Sequence, residues 1–158
     1  MATVELDDTD VRILQALQID ASQSIAELSE QIHLSSNACW RRIKRLETEG
    51  VIKARVALVD VNRIGGALVV LVTLKTRDHS DEWLRRFAAT VRAIPNVMEF
   101  YRLSGELDYF LKLYARDVAD YDDIYKRLIA VGGLTDVSAS FMLEELKSTT
   151  VAPVMQLR

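Results

Sequence analysis

Between Trp40 and Arg55 the chain sets six cations, Arg41, Arg42, Lys44, Arg45, Lys53 and Arg55, against Glu47 and Glu49, a local balance of +4. Guanidinium and ammonium groups at this density bind phosphates, and Arg and Asn side chains also hydrogen-bond base edges. The whole 158-residue chain carries −3, so it is no bulk polycation and any nucleic-acid contact must come from this patch. Catalytic chemistry is harder to place. Cys39 is the single cysteine and His33 and His79 the only histidines, which leaves no disulfide, no CxxC and no evident metal set. There is no P-loop and no GxGxxG, and Gly65-Gly66 alone does not cradle phosphate. No nucleophile–histidine pair can be placed, so the expectation is a protein that is not an enzyme and needs no cofactor.

The elements that would position the patch follow from spacing. Residues 6–10 offer caps and acidic charge to a first helix carrying Val11, Leu14 and Leu17. Ser24 and Glu27 form a capping box for a second, striped by Ile25, Leu28 and Ile32. Ser35 caps a third, whose apolar stripe is Cys39, Ile43 and Leu46, with Asn37, Trp40, Arg41, Lys44 and Arg45 largely off it. Gly50 stops that helix, and residues 51–59 alternate as a strand would. Three helices and a basic strand make a helix-turn-helix with a wing; the alternative is an ordinary three-helix core with a solvated basic face.

Residues 60–66 turn polar and then glycine-rich, and 61–66 is the expected linker between a domain at 1–60 and a second at 67–158. Residues 67–74 are an almost unbroken apolar run, the pattern of a central strand. A helix capped by Ser80 and ended by Pro95, strands at 97–103 and 107–114, a helix after Asp117 and a last alternating strand around Val137–Leu143 complete βαββαβ. The expected class is α+β, a winged helix-turn-helix followed by a ferredoxin-like sheet with both helices on one face and strands one and three central. The opposite sheet face needs a cover, and a second copy of the same sheet supplies it. No segment resembles an export signal, and no apolar run reaches the ~18 residues of a membrane span, so the cytoplasm is the expected compartment, with no membrane partner.

This plan resembles the Lrp/AsnC (leucine-responsive, feast/famine) family of bacterial and archaeal transcription regulators. The resemblance rests on Leu6-Asp7-x-x-Asp10-x-x-Ile13-Leu14, Glu27-Leu28-Ser29, Leu34-Ser35, Arg42-Ile43-x-x-Leu46-Glu47-x-x-Gly50-x-Ile52 and Gly105-x-x-Asp108-Tyr109. It implies a sequence-specific regulator of amino-acid metabolism on double-stranded DNA at the nucleoid. It further implies a homodimer assembling to a tetramer or octamer, modulated by a small amino acid. The wording of residues 39–47 is similar to a subgroup associated with sulfur-containing or branched-chain amino acids. Two departures stand out: Gly132-Gly133-Leu134 replaces the family's Pro-Gly-Val, and Val137 and Ala139 occupy positions where threonines are usual.

Residues expected at DNA are Ser35, then Ser36, Asn37, Trp40 and Arg41 near base edges, and Arg42, Lys44, Arg45 and Lys53 on phosphates. Trp40 either reads DNA or braces the helix junction. The resemblance places an effector against Leu103, Ser104, Gly105, Glu106, Asp108, Ser138 and Ser140, with Asp108 on the ammonium and the serines supplying hydroxyls. A DNA-organising protein without an effector is the rival reading.

Overall fold

In this computed structural model, which describes residues 3–156, Asp7 starts α1 (Asp8–Ile19). Its carboxylate accepts from the amides of Thr9 at 2.9 Å and Asp10 at 2.8 Å, while the Asp10 carboxylate accepts from the Asp7 amide at 3.1 Å. Two aspartates thus make the reciprocal cap that serine and glutamate make for α2 (Ile25–Gln31). After α2 the chain turns through His33 at φ 58, and the Leu34 amide donates to the Ser29 carbonyl at 2.9 Å. Ser35 then caps α3 (Ser36–Thr48), whose amide at Ala38 it receives. Cys39, Ile43 and Leu46 of α3 join Ile13, Leu14, Ala16, Leu28 and Ile32 in one closed core. Burial pushes the Cys39 thiol up, so this cysteine is packing rather than a reactive group.

One expectation fails in this region. Residues 53–60 form no helix and belong to no ladder, so the wing strand expected over 51–59 is not formed within the chain's sheet. Its alternating pattern is real, yet a strand needs a partner for its amides and carbonyls, and none is present among the described residues. Val56, Leu58 and Val59 are left 65–75% exposed.

The chain divides into two compact units; the first ends at Leu58 and is rejoined by the tail from Lys147, and the second spans Val59–Leu146. The tail therefore packs with the helical unit rather than with the sheet, contrary to the expected 67–158 grouping. A short 3-10 turn (Val61–Ile64), capped by the Asp60 carboxylate, occupies the expected linker.

The second unit runs β1 (Leu68–Thr76), α4 (Asp81–Arg92), β2 (Val97–Arg102), β3 (Tyr109–Ala115), α5 (Val118–Ile129) and β4 (Leu134–Phe141). The sheet is antiparallel in the order β2-β3-β1-β4, with β1 and β3 central as expected. Val70, Val72 and Leu74 of β1 and Tyr109, Leu111 and Leu113 of β3 meet Trp83, Phe87 and Val91 of α4 and Ile124 and Leu128 of α5. Trp83 and Phe87 stack at 4.9 Å between centroids. β4 ends at Phe141, so Leu143, expected on its apolar face, is instead almost fully exposed.

Gly132-Gly133 leads into β4 under direct constraint. The Trp83 indole donates to the Gly132 carbonyl at 2.8 Å, and the Thr76 hydroxyl donates to the Gly133 carbonyl at 2.9 Å. A Cβ on Gly133 would lie 2.6 Å from the indole nitrogen, at φ +82. The two-glycine turn that departs from the family pattern is thus fitted to the tryptophan beneath it.

Candidate DNA interface and ligand site

The sequence patch divides into two kinds of cation. Asp10 is 1% exposed and accepts from Arg42 Nη1 at 2.8 Å and from Arg45 Nη2; Arg42 also meets Asp7 at 2.7 Å. These bonds hold Asp7 below, and Arg42 above, their ordinary pKa ranges. For Asp7 the main cause is the Asp10 amide, followed by Arg42; for Arg42 it is Asp7, followed by Asp10. Arg42 and Arg45, both expected on phosphates, therefore fasten α3 to the start of α1. Lys44 at 2.8 Å and Arg55 at 3.1 Å share Glu47 in exposed pairs that exchange readily for a phosphate. Arg41 and Lys53 are exposed and have no ion pair among the described residues.

The first turns of α3 present Ser36, Asn37, Trp40 and Arg41 to solvent, opposite the buried Cys39–Ile43–Leu46 stripe. Trp40 is 51% exposed and stands outside the helical core, which favours outward contact over bracing. Ser35 is occupied as the cap, and Ser36 shares a hydrogen bond with Ser29 at 3.1 Å that ties α2 to α3. A helix so anchored, with donors on its open N-terminal face, has the form that enters a major groove.

The second site gathers at one end of β1 and β3. The Leu103 amide donates to the Asp108 carbonyl at 2.8 Å, and the Asp108 amide to the Leu74 carbonyl at 3.0 Å, which closes the turn through Ser104, Gly105 and Glu106 onto β1. The Asp108 carboxylate accepts from the Thr76 amide at 2.8 Å through Oδ2 and faces His79 Nδ1 at 3.9 Å through Oδ1. Glu106 pairs with Lys75 at 2.9 Å, which lowers the carboxyl and raises the amine. Gly105 sits at φ 127, where a side chain would be strained, with open space around its Cβ position. In the β1–β4 register Ser138 lies opposite Thr73 and Ser140 opposite Leu71, on the sheet face away from the helices. Leu103 is 41% exposed. Sequence reading missed Thr76, Lys75 and His79, which hold or face the acidic groups; their signal was pairing across strands, invisible until register is known. Among the described residues no group of three potential ligands stands close enough to hold a metal ion.

Residues 6–47 match the AsnC-type helix-turn-helix domain and residues 69–152 the Lrp/AsnC ligand binding domain. This chain belongs to the Lrp/AsnC family. It is 50% identical over 150 residues to the glutamate uptake regulatory protein of Zymomonas mobilis, covering 95% of this chain and 92% of that one. The crystal structure of an AsnC family transcriptional regulator from Agrobacterium tumefaciens superposes with a TM-score of 0.90 at 42% identity, over 97% of this chain and 100% of the other. A transcriptional regulator from Neisseria meningitidis, solved as a complex with L-methionine, gives 0.90 at 34% identity over 98% and 100%. As a Lrp/AsnC protein the chain is a DNA-binding transcriptional regulator, not an enzyme. No helix among its described residues is long and apolar enough to cross a membrane.

Proposed function

We propose that this Lrp/AsnC regulator works as a homo-oligomer in the cytoplasm, at the nucleoid, and reads DNA through the open face of α3. Asn37, Trp40 and Arg41 contact base edges, and Ser36, Lys44 and Lys53 contact the backbone. Arg42 and Arg45 serve as internal struts. The observation that carries this reading is the division of the cations: Arg41, Lys44 and Lys53 on the outward side are free or exchangeable, and Arg42 and Arg45 are bound to Asp10. The unpartnered segment 53–60 and the half-buried sheet face bearing Leu71, Phe110 and Tyr114 support assembly through a second copy.

The effector is a small amino acid, with its ammonium at Asp108 Oδ1 and its carboxylate at the Gly105 turn and the hydroxyls of Ser138 and Ser140. Leu103, Ser104 and Glu106 border it. Branched-chain and sulfur-containing amino acids are the candidates, supported by the L-methionine complex of the Neisseria protein. An effector shifts regulation only if one assembly binds it better than another. A thermal-shift screen over the twenty amino acids, with sizing chromatography on the hits, tests this. A hit at a concentration of 100 times its Kd stabilises the native state by about 2.7 kcal/mol and changes the elution volume, and Asp108→Ala abolishes both effects. A screen with no hits would instead favour an effector-independent DNA-organising protein.

A further inference from the structure

Exposed segments outside helices and strands usually fray unless something ties them down, and here the tail is tied to α1 of the DNA-binding unit at Ala152 and at the turn over Val154–Gln156. The Gln18 side chain meets the peptide of Ala152 on both sides: the Ala152 amide donates to Gln18 Oε1 at 2.6 Å, and Gln18 Nε2 donates to the Ala152 carbonyl at 3.3 Å. A side-chain amide engaged in this way reproduces the pairing of a β-ladder and is indifferent to the side chain of the bound residue. Selectivity comes two residues on, where Val154 packs against the helical core beside Leu6 and Leu17. The short 3-10 turn Val154–Gln156 then lies against α1. Leu14, Leu17, Ile52 and Val56 line the groove beside the tail.

Residues 142–151 connect the end of β4 to the docked residues, and Leu143 and Leu146 within them are 99% and 87% exposed. The DNA-binding unit is therefore attached to the rest of the chain twice, through the segment after Leu58 and through the tail from Lys147. A module held by one flexible segment samples a wider range of positions than one held by two, because a second attachment raises the effective concentration at its docking point and restricts the reachable span.

We propose that the α1 groove beside Gln18 is a receptor for the chain's own C-terminal tail, which acts as a second tether fixing how the DNA-binding head is presented. The tether begins at the strand that bears Ser138 and Ser140 and ends in the hydrogen bonds and apolar packing at α1, so it adds a non-covalent attachment of the head beyond the linker. Its consequence for operator spacing rests on the two-headed assembly proposed above; its docking does not.

Three full-length or near-full-length proteins test this: the wild type, Gln18→Ala and a chain ending at Leu146. Amide hydrogen exchange reads docking directly. Loss of the Gln18–Ala152 pair is expected to speed exchange of the Ala152 amide in Gln18→Ala, and exchange across the C-terminal half of α1 in both variants, by about tenfold. Selection from a random-sequence duplex pool then reads presentation. The wild type is expected to recover paired half-sites at one preferred spacing, and both variants to recover a spread of spacings. Unchanged exchange at Ala152 in Gln18→Ala would overturn the docking. Faster exchange with an unchanged spacing distribution would show that the tail only packs, and would overturn the tether. Failure of the wild type to select paired half-sites would count against the two-headed assembly, leaving the exchange result to decide docking.

Discussion

Replacing Asp10 by alanine removes the one buried carboxylate that Arg42, Arg45 and the Asp7 amide all engage. Breaking a fully buried ion pair costs about 3–5 kcal/mol. Here the acid is 1% exposed, but the Arg42 and Arg45 side chains are 33% and 42% exposed and can recover water, and Arg42 keeps Asp7. The penalty should accordingly fall to about 2–3 kcal/mol, part of it from the lost half of the α1 capping box. For a unit of this size, that lowers the melting temperature by roughly 10–20 °C. Trp40 and Trp83 lie in different units, so Trp40 fluorescence in a Trp83→Phe background follows the helical unit alone. The same reasoning fixes the salt response. Each phosphate contact contributes about 0.9 to the slope of log K against log salt, so Lys53→Ala should reduce the slope by about that much per head. Arg42→Ala should lower the melt and leave the slope where it was. An Asp10→Ala protein that melts like wild type, or an Arg42→Ala protein that loses slope without losing stability, would refute the strut assignment.

Other perturbations bear on separate parts of the structure. Gly133→Ala places a methyl 2.6 Å from the Trp83 indole nitrogen at a positive φ, and should destabilise the sheet unit by about 1–3 kcal/mol in calorimetry while sparing the helical one. Asp7 has a folded-state pKa depressed below 3.8; its contribution is therefore present above that value and is lost as pH falls through the folded pKa. Acid titration of the Trp40 signal should show this loss below about pH 4, and Asp7→Asn should flatten that limb of the curve.

The parts of the fold that could be read from sequence are those set by neighbours within a few positions. Ser24 with Glu27, Ser35, Ser80 and Asp117 all cap the helices that spacing assigned to them. The Cys39–Ile43–Leu46 stripe is buried as its period requires, and the apolar run of β1 is central because only a strand covered on both sides tolerates it. What sequence could not supply was long-range pairing. Arg42 and Arg45 look like any exposed cations until Asp10, more than thirty residues away, is placed beside them. The tail and Gln18 are separated by 134 positions. The missing wing fails for the same reason, since alternation identifies a strand's faces but not its ladder partner. At the ligand site, Asp108 and the Gly105 turn were legible as motif residues, whereas the Thr76 amide that occupies one carboxylate oxygen emerged only with the β1–β3 register.

In the function proposed above, the open face of α3 reads DNA while its inner cations hold the head together. This is tested most directly by titrating wild type, Arg41→Ala and Asn37→Ala, at one fixed salt concentration, against a duplex selected by the wild type and its single-base variants. Both substitutions are expected to weaken binding and to reduce the penalty for at least one mismatched base pair, each such penalty being about 1–3 kcal/mol in the wild type. Affinity and base preference both unchanged in Arg41→Ala and Asn37→Ala would contradict it.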